Sequence, residues 1–176
     1  FQGGRLLELL DHVARTTGQT AILAVENDIY AQYVQIVLGR GPMQFNVQPG
    51  TRRLLARSGL GWVLLSMRGE AEIERIVQRT NSRLNPGGQR VDLGYVLERV
   101  RETREQGFAF SKGAVAEGVG VIGMALPRTD SAERIAIGVG GLIGQLERSA
   151  NSFVHVIRDS IAEYIRRPDS SSTPPA

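Results

Sequence analysis

Leu6, Leu10 and Val13, with Leu9 and Ala14 beside them, recur at spacings of three and four, which places one apolar face on a first helix. Gly18 supplies a left-handed stop. Residues 20 to 26 and 29 to 38 are rich in Val, Ile and Tyr and flank Glu26, Asn27 and Asp28, the composition of a hairpin. A turn through Gly39, Gly41 and Pro42 leads to a short extended stretch near residues 43 to 47. Pro49 and Gly50 then end it and open a short helix over residues 51 to 57, with Leu54, Leu55 and Ala56 facing inward.

Ile73, Ile76 and Val77 mark one face of a polar helix over residues 70 to 80, followed by a loop through Asn85, Pro86, Gly87 and Gly88. The next helix has clearer ends. Asp92 can cap its first turn, Leu93, Val96, Leu97 and Val100 form its stripe, and Gly107 ends it. Strands are expected at residues 108 to 112, 119 to 126 and 134 to 140, the last two separated by a turn from Pro127 to Ser131. Leu146, Ala150, Phe153, Val154, Ile157, Ile161 and Ile165 then define a final helix over residues 143 to 165, long enough to cover a sheet. Helix, strands, helices, strands, long helix is the order of an α+β fold. It predicts a central antiparallel sheet flanked by helices rather than a doubly wound parallel sheet.

With 176 residues, 41% of them apolar and 22% charged, the chain suits one domain with a real core. Residues 1 to 4 read as a tag remnant, 5 to 166 as the domain and 167 to 176 as a flexible Ser/Thr/Pro tail. The longest apolar runs, such as residues 21 to 25, fall far short of the roughly 18 to 20 needed to span a bilayer. Cysteine is absent, which removes disulfides, thiolate catalysis and cysteine-ligated zinc. The formal charge is +3, and the high isoelectric point reflects arginine chemistry, because Lys112 is the only lysine among 21 basic residues. Those arginines are scattered among glutamates, which argues against a nucleic-acid face.

Gly118, Gly120 and Gly123 spell G-x-G-x-x-G, but no helical pattern follows, as a dinucleotide site requires. A glycine-rich strand lining a cavity or packing under a helix fits better. Gly138, Gly140, Gly141 and Gly144 read as a turn before the last helix rather than a phosphate loop. His12 and His155 are the only imidazoles, and neither has a serine elbow or carboxylate cluster at catalytic spacing. An enzyme would be indicated only by His155 lying beside a carboxylate in a cleft. No metal-ligand motif is present, and neither a metal nor a cofactor is expected. Ser111 and Glu117 are left as polar residues in or beside strands, each either solvated or part of a site.

Three segments carry a resemblance. Phe45-Asn-Val-Gln-Pro-Gly-Thr-Arg-Arg-Leu-Leu-Ala56 is similar to an L-H-x-T-A-x-G-K-A-L-L-A stretch. The run from Gly107 through Ser111 to Glu117-Gly-Val-Gly-Val-Ile-Gly-Met-Ala-Leu-Pro127 resembles a glycine-valine, isoleucine-alanine-x-proline strand. Ile135 to Gly141 resembles an A-L-S-V-S-G strand before a long last helix. Together they resemble the effector-binding domain of IclR-type transcriptional regulators, over about residues 5 to 165.

The resemblance implies a GAF-like sensor fold in the cytoplasm, assembled as a homodimer or homotetramer. Operator DNA would be bound by a separate N-terminal winged helix-turn-helix that this sequence does not contain. It places effector-binding residues at Phe45, Pro49, Gly50, Ser111, Val121, Gly138 and Gly140. Members that hold small carboxylic acids offer hydroxyls where Gly138 and Gly140 stand, a polar or thiol group near Val121, and amides at the turn where Pro49 has none. Each missing donor removes about 1 to 3 kcal/mol of carboxylate recognition. Gln48 and Thr51 also depart from the family's usual threonine and glycine. The departures predict a roomier, less polar cavity for an apolar or aromatic small-molecule effector. They equally allow a domain that has lost its ligand and only oligomerises.

Overall fold

Strands dominate the middle of the molecule because their β-branched and small residues pair across a single sheet. The computed structural model describes residues 3–40, 47–113, 117–128 and 133–165. Helix α1 (Gly3–Thr17) begins inside the segment set aside as a tag remnant and ends at Gly18, whose φ is +73°. Strands β1 (Thr20–Asn27) and β2 (Tyr30–Val37) form the expected hairpin, with Asp28 left-handed at its tip. Helix α3 (Glu70–Arg83) and α4 (Leu93–Gln106) follow the apolar stripes. The Asp92 carboxylate accepts the Tyr95 amide at 2.9 Å and Gly107 closes α4 in the left-handed region, as the sequence suggested.

With the short strand β3 (Arg52–Leu54), strands β4 (Ala109–Lys112), β5 (Val119–Ala125) and β6 (Ile135–Leu142) complete a sheet of order β3-β2-β1-β6-β5-β4, every neighbouring pair antiparallel. The last helix, α5 (Ile143–Tyr164), leaves β6 directly, with no intervening turn. Gly138, Gly140 and Gly141 therefore lie inside β6 and Gly144 inside α5, which corrects the reading of that cluster as a turn.

Two further differences have physical causes. The segment expected as a helix over residues 51 to 57 is instead β3 (Arg52–Leu54) followed by one 3-10 turn (Leu55–Arg57), because Arg52 to Leu54 pair with Gln32 to Tyr30 of β2. Strand pairing overrides a weak local helical preference. Leu55 and Ala56 are still fully buried. A second helix, α2 (Gly59–Leu65), has no amphipathic signature since all seven of its residues are buried. Its Ser58 cap accepts the Gly61 amide at 3.1 Å and donates to the Leu54 carbonyl at 2.9 Å. Most of the extended stretch expected near residues 43 to 47 lies outside the described residues.

Two cores result. On one face of the sheet, α1 and α5 bury Leu10, Leu23, Ile122, Ile137, Val139 and Ile157. On the other, α2, backed by α3 and α4, buries Ile22, Tyr33, Leu60, Trp62, Val100 and Val121. Among the described residues no helix is long and apolar enough to cross a membrane.

Candidate functional site

Alternation within β4, β5, β6 and β1 sends one set of side chains to the α2 face, and strand register aligns them into rows. Ser111 stands opposite Val121, Val121 opposite Gly140, and Gly140 opposite Thr20. All four are buried, Ser111 and Val121 at 2% exposure and Thr20 at 1%. The row thus carries a hydroxyl at each end with an apolar side chain and a glycine between them. The Thr20 hydroxyl oxygen accepts the Gly39 amide at 3.1 Å, so it is held in place. Ser111, which spacing alone left open between solvent and site, faces inward beside Gly59 of α2. A Cβ built on Gly59 would come within 2.7 Å of the Ser111 Oγ.

The neighbouring row runs Ala109, Gly123, Gly138, Ile22. Here the space is filled from within. A Cβ on Gly123 would lie 2.4 Å from Leu60 Cδ2, and one on Gly138 2.8 Å from the same atom and 2.7 Å from the Ile122 carbonyl. These two glycines exist to let α2 approach the strands. Gly123 therefore packs under a helix, one of the two roles expected of the G-x-G-x-x-G run, and the expectation of open room at Gly138 is corrected.

The other expected site residues separate. Pro49 and Gly50 are exposed at the opposite edge of the sheet, where the Gly50 amide donates to the Tyr33 carbonyl at 2.7 Å and Gly50 adopts φ +91°. They lead into β3 rather than into a helix. Phe45 lies outside the described residues. The structure thus brings Ser111, Val121 and Gly140 into one row, sets Gly138 in the next, and keeps Pro49 and Gly50 apart from them. Thr20, Gly59 and Leu60 belong to the same surface and were not anticipated. The Ser58 cap before Gly59-Leu-Gly-Trp was the available signal for α2.

At the end of the β1–β2 hairpin a cavity of about 530 Å³ is lined mainly by charge, including Glu26, Asp28, Arg68, Glu72, Arg75 and Arg79. Arg68 Nε donates to both Glu26 oxygens at 2.9 Å and Nη1 to Glu72, while Arg79 and Arg83 both donate to Asp28. The Arg83 hydrogen bond holds the Asp28 carboxyl below the usual range, and the Arg68 hydrogen bond does the same for Glu72. With four arginines and four carboxylates among its lining residues, this cavity holds little net field for a ligand.

Neither histidine forms a catalytic arrangement. His155 pairs with Asp159 at 3.0 Å, but as an i, i+4 pair whose side chains are 74% and 67% exposed on α5, not in a cleft. His12 stacks, tilted, on Tyr164 at 5.4 Å between ring centres. Glu117 is exposed in the turn before β5. Among the described residues no group of three or more potential ligands could hold a metal ion.

The architecture, an antiparallel sheet with paired first and last helices on one face and a short buried helix over small residues on the other, is shared with a solved effector domain of a transcriptional regulator. The effector domain of the transcriptional regulator IclR from Acinetobacter sp. ADP1 is similar over 94% of this chain and 96% of that one, at 28% identity and a TM-score of 0.85. Thermotoga maritima IclR aligns at 15% identity and a TM-score of 0.80, covering 94% of this chain and 68% of its own. The transcriptional regulator YaiJ aligns at 14% and 0.80, covering 92% and 91%. The two lower-identity matches show the fold alone. A search of curated proteins returns no match. The model of the family described as bacterial transcriptional regulator IclR, C-terminal, matches residues 5–166, and the chain belongs to that family. It is a transcriptional regulator domain and not an enzyme.

Proposed function

We propose that this domain senses a small, largely apolar or aromatic effector and forms the homo-oligomeric part of its regulator, altering operator binding by a DNA-reading domain on its N-terminal side. The effector rests on the sheet at Ser111, Val121 and Gly140, with Thr20 at the far end of the row. The observation that carries this reading is the row itself: a buried line across four strands, with hydroxyls at its ends and no side chain at Gly140. A ligand there touches β4, β5, β6 and, through Ser111, the start of α2. Binding one arrangement of these elements better than another shifts the equilibrium between them. Coupling of about 1 to 3 kcal/mol suffices to change operator affinity.

The alternative is a scaffold that only oligomerises. One finding favours it: Leu60 already occupies the space above Gly123 and Gly138. Thermal-shift screening with aromatic acids, acyl lactones and sugar-derived acids decides between the two. A true effector at 100 times its dissociation constant adds about 2.7 kcal/mol, or about 5 to 10 °C in a domain of this size. No shift from any class leaves the scaffold.

A further inference from the structure

A second cavity, of about 650 Å³, lies between α4, the 3-10 turn with α2, and the edge strand β4. Its composition differs sharply from the balanced charge at the hairpin end. Trp62, Tyr95, Phe108 and Phe110 line it, four of only ten aromatic residues in the chain. Trp62 and Tyr95 meet edge to face at 6.2 Å, and Trp62 Nε1 is satisfied by the Ala56 carbonyl at 2.9 Å. The indole is thereby fixed as a wall rather than a donor.

Arg57, Arg99 and Lys112 supply the charge, against Glu102 as the only carboxylate lining the cavity among the described residues. Lys112 is answered from outside, by Glu147 at 3.0 Å. Arg57 donates to the Gln89 carbonyl and has no carboxylate partner among the described residues. Arg99 sits 5.2 Å over the Tyr95 ring and gives Nη2 to Glu102 at 2.9 Å, while its buried Nε has no acceptor. Of the buried side-chain polar atoms without a partner among the described residues, this is the one on a residue that lines either of the two cavities. No water-sized group reaches that nitrogen, so a ligand in the cavity would meet Arg99 through the remaining N–H groups of its guanidinium.

We propose that this cavity is a second ligand site, separate from the sheet-face row, and that it takes a planar aromatic anion such as an aromatic carboxylate. The rings stack against the aromatic walls, and the carboxylate is held by Arg57 and Arg99 through charge-assisted hydrogen bonds. Trp62 belongs to the helix whose Gly59 touches Ser111 and whose Leu60 fills Gly138, so both sites bear on α2.

Trp62 is the only tryptophan, and its emission reports on this cavity directly. Benzoate, added to the whole chain with excitation at the red edge of indole absorption, is expected to change that emission saturably. Benzamide, its neutral counterpart, should bind at least about tenfold more weakly. Arg57→Gln and Arg99→Gln should each weaken benzoate by about tenfold while leaving benzamide unchanged. Gly140→Leu, which blocks the sheet-face row, should leave benzoate binding intact, so the failure of one site is distinguishable from the failure of the other. A linear, unsaturable response, equal binding of benzoate and benzamide, or loss of the response in Gly140→Leu overturns the proposal. The benzoate against benzamide comparison needs no variant and stands even if an arginine substitution unfolds the domain.

Discussion

On the α1/α5 face the sheet offers Leu23, Ile122, Ile137 and Val139 to Leu10, Leu146 and Ile157, whereas on the α2 face the same strands offer Gly123, Gly138, Gly140 and Val121. Large side chains interlock on the first face and keep two long helices at ordinary distance. On the second, missing side chains let a seven-residue helix sit almost on the backbone. The first arrangement converts buried area into stability. The second leaves a surface where one atom group, Leu60 or a ligand, decides what fills the space. The proposed sensing row lies on this second face.

Exchanging comparable leucines tests that contrast most strongly. Leu10→Ala and Leu60→Ala each remove a fully buried side chain, and each should cost about 2 to 5 kcal/mol in urea unfolding. They should differ in ligand response. Leu60→Ala uncovers Gly123 and Gly138 beside the row at Gly140 and should change effector affinity, while Leu10→Ala should not. A Leu60→Ala cost below about 1 kcal/mol would mean that α2 is not seated as described.

Much of this contrast was legible in the sequence and part of it was not. Helices α1, α3, α4 and α5 announce one apolar stripe each, and Asp92, Gly107 and Gly18 mark ends that the structure keeps. Helix α2 carries no stripe because it is surrounded on all sides, so periodicity is blind to it. Strand β3 exists through its pairing with β2, a nonlocal cause. Gly138 and Gly140 look equivalent along the chain. Only register places Gly138 under Leu60 and Gly140 in line with Val121 and Thr20. Ser111 was ambiguous for the same reason, since a four-residue strand shows too little alternation to tell which face is covered.

Glycine replacements sharpen the comparison at smaller cost. Gly138→Ala drives a methyl toward the Ile122 carbonyl and Leu60, and should destabilise by about 1 to 3 kcal/mol. Gly144→Ala, in α5 with nothing nearer than Arg148 Nη1 at 3.6 Å, should instead stabilise by up to about 1 kcal/mol. Chemical denaturation of the two variants side by side checks the opposite signs.

The smallest effect is electrostatic. Asp28 and Glu72 have carboxyls held low in the folded state, so the stability they contribute is present above their unfolded values and is lost as pH falls through the folded ones. Both are solvent-exposed, so the acid-side loss should be slight and should shrink in high salt. Arg83→Gln should flatten that part of the pH profile of unfolding. A profile unchanged by the substitution would remove the pair from the account.

Gly140→Leu, compared with the unaltered domain by thermal shift against the same ligand panel, addresses the sheet-face row most directly. The account predicts a variant that remains folded and oligomeric but loses the stabilisation of about 5 to 10 °C given by the effector. For a ligand whose shift is unaffected by Arg57→Gln and Arg99→Gln, and so does not bind in the second cavity, a shift that survives intact in Gly140→Leu would contradict it, because that ligand would then rest somewhere other than on Ser111, Val121 and Gly140.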